Sequence, residues 1–472
     1  MNAYSQPSPW SDLLSPRNVL RSIALTGGVA LHAINVHIVT TILPSVVRDI
    51  GGLQYYAWNT TLFVVASILG ASLTARMLAM FAPGKAYFAA LGLFSAGAIV
   101  CATAPTMAWM LAGRGIQGLG GGMLATLSYA LIRVIFEERL WARAIALVSG
   151  MWGVATLFGP AVGGLFAQSG NWRMAFWALL PIALLLALTV STQLKASSPI
   201  STNNGPTPWG RILLLAASAL AVAAASLAEQ NIWKAVIALC GIGLGMLFVR
   251  RDSRAEVRLL PAGSYKTDKE LGSIFAAISL LTIATTTEIF VPYFLQLIHR
   301  HTPLGAGYMT AAMAAGWSIA SVAGSGKTEA KARRMVTTGP IVMSVSLAAL
   351  AFLLPEAARF PALIESVLIG AALFGAGLGV GIGWPHLLTR VLKITPAGEE
   401  GLTSGAITIV QLYAMAIGAA MAGLLVNAAG LSVPGGIEGA QQAAFWLFAV
   451  FTLAPLLAAV LLRKFAAAET GH

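Results

Sequence analysis

Ile23–Val47 reads IALTGGVALHAINVHIVTTILPSVV, a run without a single Lys, Arg, Asp or Glu, between Arg21 and Arg48. A helix that crosses the hydrocarbon core of a bilayer needs about 20 apolar residues, and this run exceeds that. A cleavable signal has a hydrophobic region of only ~7–15 residues, so the first segment is expected to stay in the mature chain. Its apolar residues run continuously instead of alternating at period two, which favours a helix over a strand. Backbone groups in lipid must also be satisfied within the segment, and a helix does that alone.

The rest of the 472-residue chain follows the same pattern. Hydrophobic residues make up 57% of it and charged residues 10%, against ~25% charged in an ordinary soluble domain. Collagen-like, disordered, disulfide-framework and soluble-enzyme classes are excluded on this balance. Thirteen further apolar runs follow the first: Trp58–Met80, Ala86–Ala104, Met107–Ile135, Ala142–Phe166, Met174–Leu194, Ile212–Ala228, Ile232–Val249, Gly272–Ile298, Ala306–Ala323, Met335–Leu354, Pro361–Leu388, Leu402–Ala429 and Ala443–Leu462. The expected fold is an all-α membrane protein with 14 spans.

Charge placement sets the expected orientation, because cytoplasmic loops collect Lys and Arg. With the N-terminus inside, only Arg48, Arg173, Lys234, Arg300 and Arg359 fall outside, and Arg114 lies within a span. Every other Lys and Arg, among them Arg17, Arg139 and Lys195, falls inside. Both termini are therefore expected in the cytoplasm. The net charge of +12 then follows from topology and contact with anionic headgroups, and nucleic-acid binding is not expected. Cys101 and Cys240 sit in apolar runs and suggest no disulfide framework.

Two polar stretches, Lys195–Arg211 and Arg250–Glu270, bracket the two shortest spans. They divide the chain into an N-terminal six-helix bundle (1–195), a linker with two additional helices (196–270) and a C-terminal six-helix bundle (271–472). Six plus six is the arrangement of transporters built from repeated halves, which bind substrate near the bilayer midplane between those halves. Placing Pro44 over Pro292 aligns the first span with the ninth and sets Glu288 opposite Thr40.

Charged side chains deep in a span cost ~2.5–3.5 kcal/mol or more and usually face a bundle interior or a water-filled cavity. Arg114 (in AGRGIQGLGGG) and Glu288 (in TIATTTEIFVPYFLQ) are two such residues. Glu288 could load and release a proton, or could instead be hydrogen-bonded to the threonines beside it; Arg114 could brace backbone carbonyls. His32, Asn35 and His37 are polar positions in the first span, and His37, nearer the centre, is the better proton candidate. At 100° per residue His32 and His37 point ~140° apart, which places them on different faces. No metal-ligand spacing or catalytic triad is present, so neither a metal site nor an enzyme is expected. Gly324-Ser325-Gly326-Lys327-Thr328 resembles the end of a P-loop, but Ser321 stands where the first glycine belongs and a helix precedes it.

Several motifs resemble the major facilitator superfamily, in its drug:H⁺ antiporter branch with fourteen helices. NVHIVTTILPSVVRDIGG with YYAWNTTLFVVAS resembles the first two helices of that family, and LAGRGIQGLGGGM (Leu111–Met123) resembles its fourth-helix motif. GVATLFGPAVGG (Gly153–Gly164), with Gly159, Pro160, Gly163 and Gly164, resembles the fifth-helix antiporter motif; a kink or loosened turn is expected at Pro160. The resemblance implies a proton-coupled exporter of small amphiphilic molecules in the inner membrane, a monomer with no cofactor beyond protons. Arg114, Glu288 and His37 would serve coupling. Asn35, Gln117, Tyr293, Gln296, Trp384 and Gln411 would line the substrate cavity. Two departures stand out: Asn35 replaces the family's usual first-helix aspartate, and the loop after the second helix, ASLTARMLAMFAPGKAY, carries no acid. An uncoupled or inward-directed transporter, and a non-transporting membrane receptor or assembly subunit, therefore stay open.

Overall fold

A computed structural model describes residues 15, 18–137, 140–194, 207–324, 327, 329–396 and 399–468. Arg17, Arg139, Lys195, the rest of the polar linker to 206, three residues of the P-loop-like sequence (325, 326 and 328) and His472 lie outside the described residues. Among the described residues every regular element is helical. In chain order they are α1 (Val19–Ile50), α2 (Trp58–Met80), α3 (Pro83–Ala102), α4 (Met107–Ala130), α5 (Ile132–Ile135), α6 (Trp141–Gln168), α7 (Arg173–Trp177), α8 (Leu179–Gln193) and α9 (Trp209–Ala225). Then come α10 (Asn231–Ser253), α11 (Glu270–Thr285), α12 (Val291–Leu297), α13 (Pro303–Gly324), α14 (Glu329–Leu353), α15 (Ala362–Ile394), α16 (Glu400–Ala428), α17 (Gly436–Phe451) and α18 (Leu453–Ala468). Short 3-10 turns occupy Leu53–Tyr55 and Thr286–Phe290.

Helices cover each of the fourteen apolar runs. Among the described residues eleven helical stretches are long and apolar enough to cross a membrane, and Trp209–Ala225 is apolar but shorter. α4 and α13 have the length, but glycines, with Arg114 and Gln117 in α4 and Tyr308, Thr310, Trp317, Ser318 and Ser321 in α13, hold their mean hydropathy down. The outer faces carry bare apolar side chains such as Leu185, Leu239, Met246 and Leu363. Such surface requires hydrocarbon around it; in water it would drive aggregation.

Four runs are interrupted: Met107–Ile135 at Leu131, between α4 and α5, and three others just before a proline. Proline has no N–H, so the carbonyl four residues back loses its helical partner. Pro181 leaves Trp177 unpaired in this way, and α7 ends there. Pro455 does the same to Phe451, where α17 ends. Pro292 does it to Glu288, and the chain tightens into the 3-10 turn Thr286–Phe290, in which the Val291 N–H closes on the Glu288 carbonyl. α6 runs continuously through Pro160, as α1 does through Pro44.

By contacts the chain divides into two compact units. One comprises residues 1–42 and 66–207; the other comprises 43–65 and 208–472. In the first, α4 lies close to α2 and α3. Ser67 donates from Oγ to the Gly118 carbonyl at 3.1 Å, and the α2 backbone at Ser67 occupies the space a side chain at Gly122 would need. Small residues at this spacing let backbones approach. Tyr87 on α3 donates to the Ala24 carbonyl of α1 at 2.8 Å.

In the second unit the glycines at every second position of α15 have a two-sided explanation. Gly377 and Gly381 meet the α13 backbone at Met313 and Trp317. Gly379 and Gly383 meet α14 at Met343 and Val336, and Gly375 meets Ser346 of the same helix. Residues four apart share a helix face, so the alternation is two interleaved stripes, one for each neighbour. The two linker helices also belong to this unit. Val222 and Ala223 of α9 pack on Ala420 of α16, with Trp58 and Ile417 beside them. α10 packs on α9 with Gly241 against Val222 and Ser218, and is mostly exposed.

The open end of this linker hairpin, opposite its 226–230 turn, is tied by a fully buried Asp252. Its carboxylate takes a 2.7 Å ion pair from Arg211, N–H bonds from Leu259 and Leu260 and the Tyr265 hydroxyl at 2.7 Å. Burial, and then the charge of Asp252, push the Tyr265 phenol up, so it remains a donor. Removing one partner of a buried pair strands the other in a poorly solvating site at a cost of about 3–5 kcal/mol. Asp252→Ala should therefore lower the melting temperature of the purified protein sharply, with Asp252→Asn falling between it and the parent. Thermal unfolding in one detergent checks the order; equal melting points for all three would refute it.

Candidate functional site

In the first unit, α1, α4 and α6 bring four of the sequence-selected polar residues into the interior. Arg114 is 2% exposed, and its Nη1 donates to Gln117 Oε1 at 2.6 Å, one turn along α4. The pair fixes the guanidinium along its own helix and leaves the Gln117 amide nitrogen buried without a hydrogen-bond partner. Asn35 is completely buried on α1, and both its amide atoms lack a partner. His32 also lies inside, within electrostatic reach of Arg114, with its ring edge-on to Trp152 of α6 at 6.0 Å. Native interiors satisfy nearly all buried polar atoms. An amide with neither end satisfied is therefore a group suited to a guest or to water.

The glycines of the antiporter-like motif set the crossing of α6 over α1. A side chain at Gly159 would collide with His37 Cβ, and one at Gly163 would press on the Ile38 backbone and Ile42. Pro160 and Gly164 are buried beside them. His32 and His37 thus both reach α6, two turns apart along it. His37 meets it through its Cβ and is half-buried.

In the second unit, Glu288 sits inside the 3-10 turn that Pro292 creates, half-buried. The neighbouring threonines do not serve it. Thr285, Thr286 and Thr287 donate their hydroxyl protons to the carbonyls of Thr282, Ile283 and Ala284. No ion pair among the described residues holds its carboxylate.

An aromatic cluster surrounds the same break. Tyr56 stacks on Phe290 at 5.0 Å and meets Tyr293 edge-on at 5.6 Å. Phe294 continues the group, 6.1 Å from Phe290 and 6.2 Å from Tyr293. The Tyr56 hydroxyl and both amide atoms of Gln296 are buried and unpartnered. Tyr293 and Gln296 were legible as polar residues in a span; Tyr56, Phe290 and Phe294 were not singled out. Their one sequence signal was the Tyr55-Tyr56 pair between two spans. Trp384 on α15 stands edge-on to Trp317 at 5.0 Å. Gln411 lies half-buried on α16. The arrangement offers amide dipoles and aromatic faces with few fixed charges, which suits amphiphilic guests of varied shape. Among the described residues no group of three or more His, Cys, Asp or Glu side chains could hold a metal.

The profile of the Major Facilitator Superfamily matches residues 25–418. A probable multidrug-efflux transporter of Mycobacterium tuberculosis (strain ATCC 25618 / H37Rv) is 37% identical over 463 residues, 96% of each chain. A multidrug transporter protein of Bacillus subtilis (strain 168) is 24% identical, over 86% of this chain and 76% of its own length. Among solved structures, a D-xylose–proton symporter superposes with a TM-score of 0.64 at 13% identity, covering 95% of this chain and 97% of its own. A bacterial homologue of the human lysosomal transporter Spinster, inward-facing and unoccupied, gives 0.65 at 14% identity, covering 96% and 98%. At these identities the structural matches establish the fold.

The close crossing of α6 and α1 makes its own prediction. Gly153 and Gly159 share a helix, yet a methyl at Gly153 meets open space while one at Gly159 meets His37. Gly153→Ala should be neutral or stabilising by about 0.5–1 kcal/mol, because it removes backbone freedom from the unfolded chain. Gly159→Ala should destabilise and impair transport. Melting curves and transport assays on the two variants check this, and identical behaviour would overturn the account of the crossing.

Proposed function

This chain belongs to the major facilitator superfamily of membrane transporters, and we propose that it exports small amphiphilic molecules in exchange for protons. The relatives at 37% identity bear the name of probable multidrug-efflux transporters over almost their whole length, which favours export and broad substrate choice. The antiporter-like glycines packed on α1 favour the same direction.

Glu288 is the proposed proton carrier, and one observation supports it above the others: a carboxyl at a helix break that neither a cation nor a hydroxyl proton holds. Such a group can lose and regain its proton without breaking an ion pair. Protonated, it is neutral and tolerates an apolar guest alongside; ionised, it attracts a cationic one. Arg114 is held toward Gln117 and adjusts the field felt by His32 and the interior of the first unit. Asn35, Gln117, Gln296 and Tyr293 supply unpartnered dipoles and an aromatic edge for substrate, with Trp384 and Gln411 as further lining. His37 is the weaker coupling candidate, since its main contact is packing on Gly159. Localisation to a bacterial inner membrane, with both termini inside, and a monomeric state complete the proposal.

Asn35 supports a second reading. A first-helix amide that cannot titrate suits a transporter that moves substrate without protons. Reconstitution into liposomes containing a trapped pH dye separates the two. Antiport predicts that substrate addition moves protons the opposite way, and that Glu288→Gln abolishes this while substrate counterflow continues. Substrate movement without proton movement, in the parent and the variant alike, would refute coupling and leave a uniporter. Absence of movement by either protein across cationic, neutral and anionic amphiphiles would refute the transport proposal.

A further inference from the structure

A cavity lies entirely within the second unit, and Glu288 is not among its lining residues. It occupies about 560 Å³ between the linker hairpin α9–α10 and helices α11 and α16. That volume falls in the ~300–1,000 Å³ range of sites for drug-sized ligands. Its walls are almost wholly apolar, with Val222, Ile242, Met246, Phe275, Ile283 and Met421 among them, and no charged side chain lines it.

All but one of the polar side chains that line it point their protons away; the exception is the hydroxyl of Thr267, on the exposed loop after α10. Ser218 gives its hydroxyl proton to the Gly241 carbonyl at 2.7 Å. The 2.9 Å contact between Ser218 Oγ and Tyr413 Oη must then run from the tyrosine to the serine, because each hydroxyl carries a single proton. Tyr413 Oη is left as an acceptor with open lone pairs, in the heart of the wall. Ser279 donates to the Phe275 carbonyl, Ser264 to Pro261 and Tyr265 to Asp252. Around Tyr413 the wall therefore offers hydroxyl oxygens and withholds donors. Gly245 opens the space in front of this point: a side chain there would lie 3.0 Å from Tyr413 Oη and 3.2 Å from Ser218 Oγ.

We propose that this cleft is a binding site for a bilayer-dissolved amphiphile that has a hydrocarbon body and a hydroxyl donor, set against Tyr413. An anionic amphiphile finds neither donor nor cation there. Neutral apolar molecules without a donor leave the Tyr413 oxygen unsatisfied. α10 is the outermost helix of the unit and exposes apolar side chains such as Leu239 and Met246, so the occupant enters from hydrocarbon. Its body fills the seam that α9 alone does not close, and it joins the hairpin to α11 and α16.

The full-length protein in nanodiscs, incubated with a diazirine-bearing long-chain alcohol or the matching fatty acid at neutral pH, tests this after photolysis and peptide mapping. The alcohol should label peptides spanning 238–249 and 409–424 about fivefold more than the acid, roughly the effect of one retained hydrogen bond. Tyr413→Phe should erase that preference, and Gly245→Leu should remove labelling by both probes. Ile242→Trp fills the cleft from the exposed helix and replaces Gly245→Leu if that variant does not fold. Equal labelling by alcohol and acid would mean ordinary annular lipid and overturn the proposal. Labelling that survives both filling variants would also overturn it. Displacement of the alcohol by transported compounds would assign the cleft to the export route and refute a separate bilayer-ligand site. No such displacement, with the alcohol preference intact, supports it.

Discussion

A hydrocarbon solvent offers no hydrogen bonds, and this one constraint shapes the chain. Every N–H and C=O inside the bilayer must find its partner within its own segment, which makes every regular element among the described residues helical. The exceptions are therefore informative. At Pro181, Pro292 and Pro455 a carbonyl loses its partner and the helix stops or tightens. Only one of those three places carries an ionisable side chain, Glu288. A departure from regular backbone and one of the chain's costly side chains thus coincide.

With backbones self-satisfied and lipid no less apolar than leucine, helices associate through close fit more than through hydrophobicity. Glycine supplies that fit here. Gly122 admits Ser67, Gly159 and Gly163 admit α1, and the two stripes of α15 admit α13 and α14. The linker hairpin follows a different rule. It docks through a small apolar seam and one hydrogen-bonded hydroxyl pair, while its open end is tied by the buried Asp252. A cleft remains where that looser fit leaves space.

Spans, helical class and family were legible because they rest on long-range averages: hydropathy over about 20 residues, and glycines at fixed spacing. Arg114, Glu288 and Asn35 were legible for a local reason, since polarity inside a span is rare. The alternation Gly375 to Gly383 was visible, but its two-sidedness was not, because only the neighbours reveal which face each glycine serves. Tyr56, Phe290 and Phe294 were invisible as a site. Aromatic residues are ordinary membrane residues, and a cluster drawn from a loop and a distant helix leaves no pattern along the chain. The Ser218–Tyr413 pair, 195 positions apart, was beyond sequence reasoning for the same reason. The threonines beside Glu288 were a plausible set of partners in sequence, and only the direction of their hydroxyl protons shows that they serve the backbone.

The doubled glycine seam of α15 has a mechanical consequence. A helix in backbone contact on two sides, with few side chains to rearrange between, has few soft coordinates. α13, α14 and α15 therefore behave as a stiff plate, whose central member of 33 residues reaches about 50 Å at 1.5 Å per residue. Displacement applied at one end of such a plate arrives at the other nearly undiminished, as along a lever. Flexibility in this unit is then concentrated at the proline breaks, which act as its joints, and Glu288 sits at one of them.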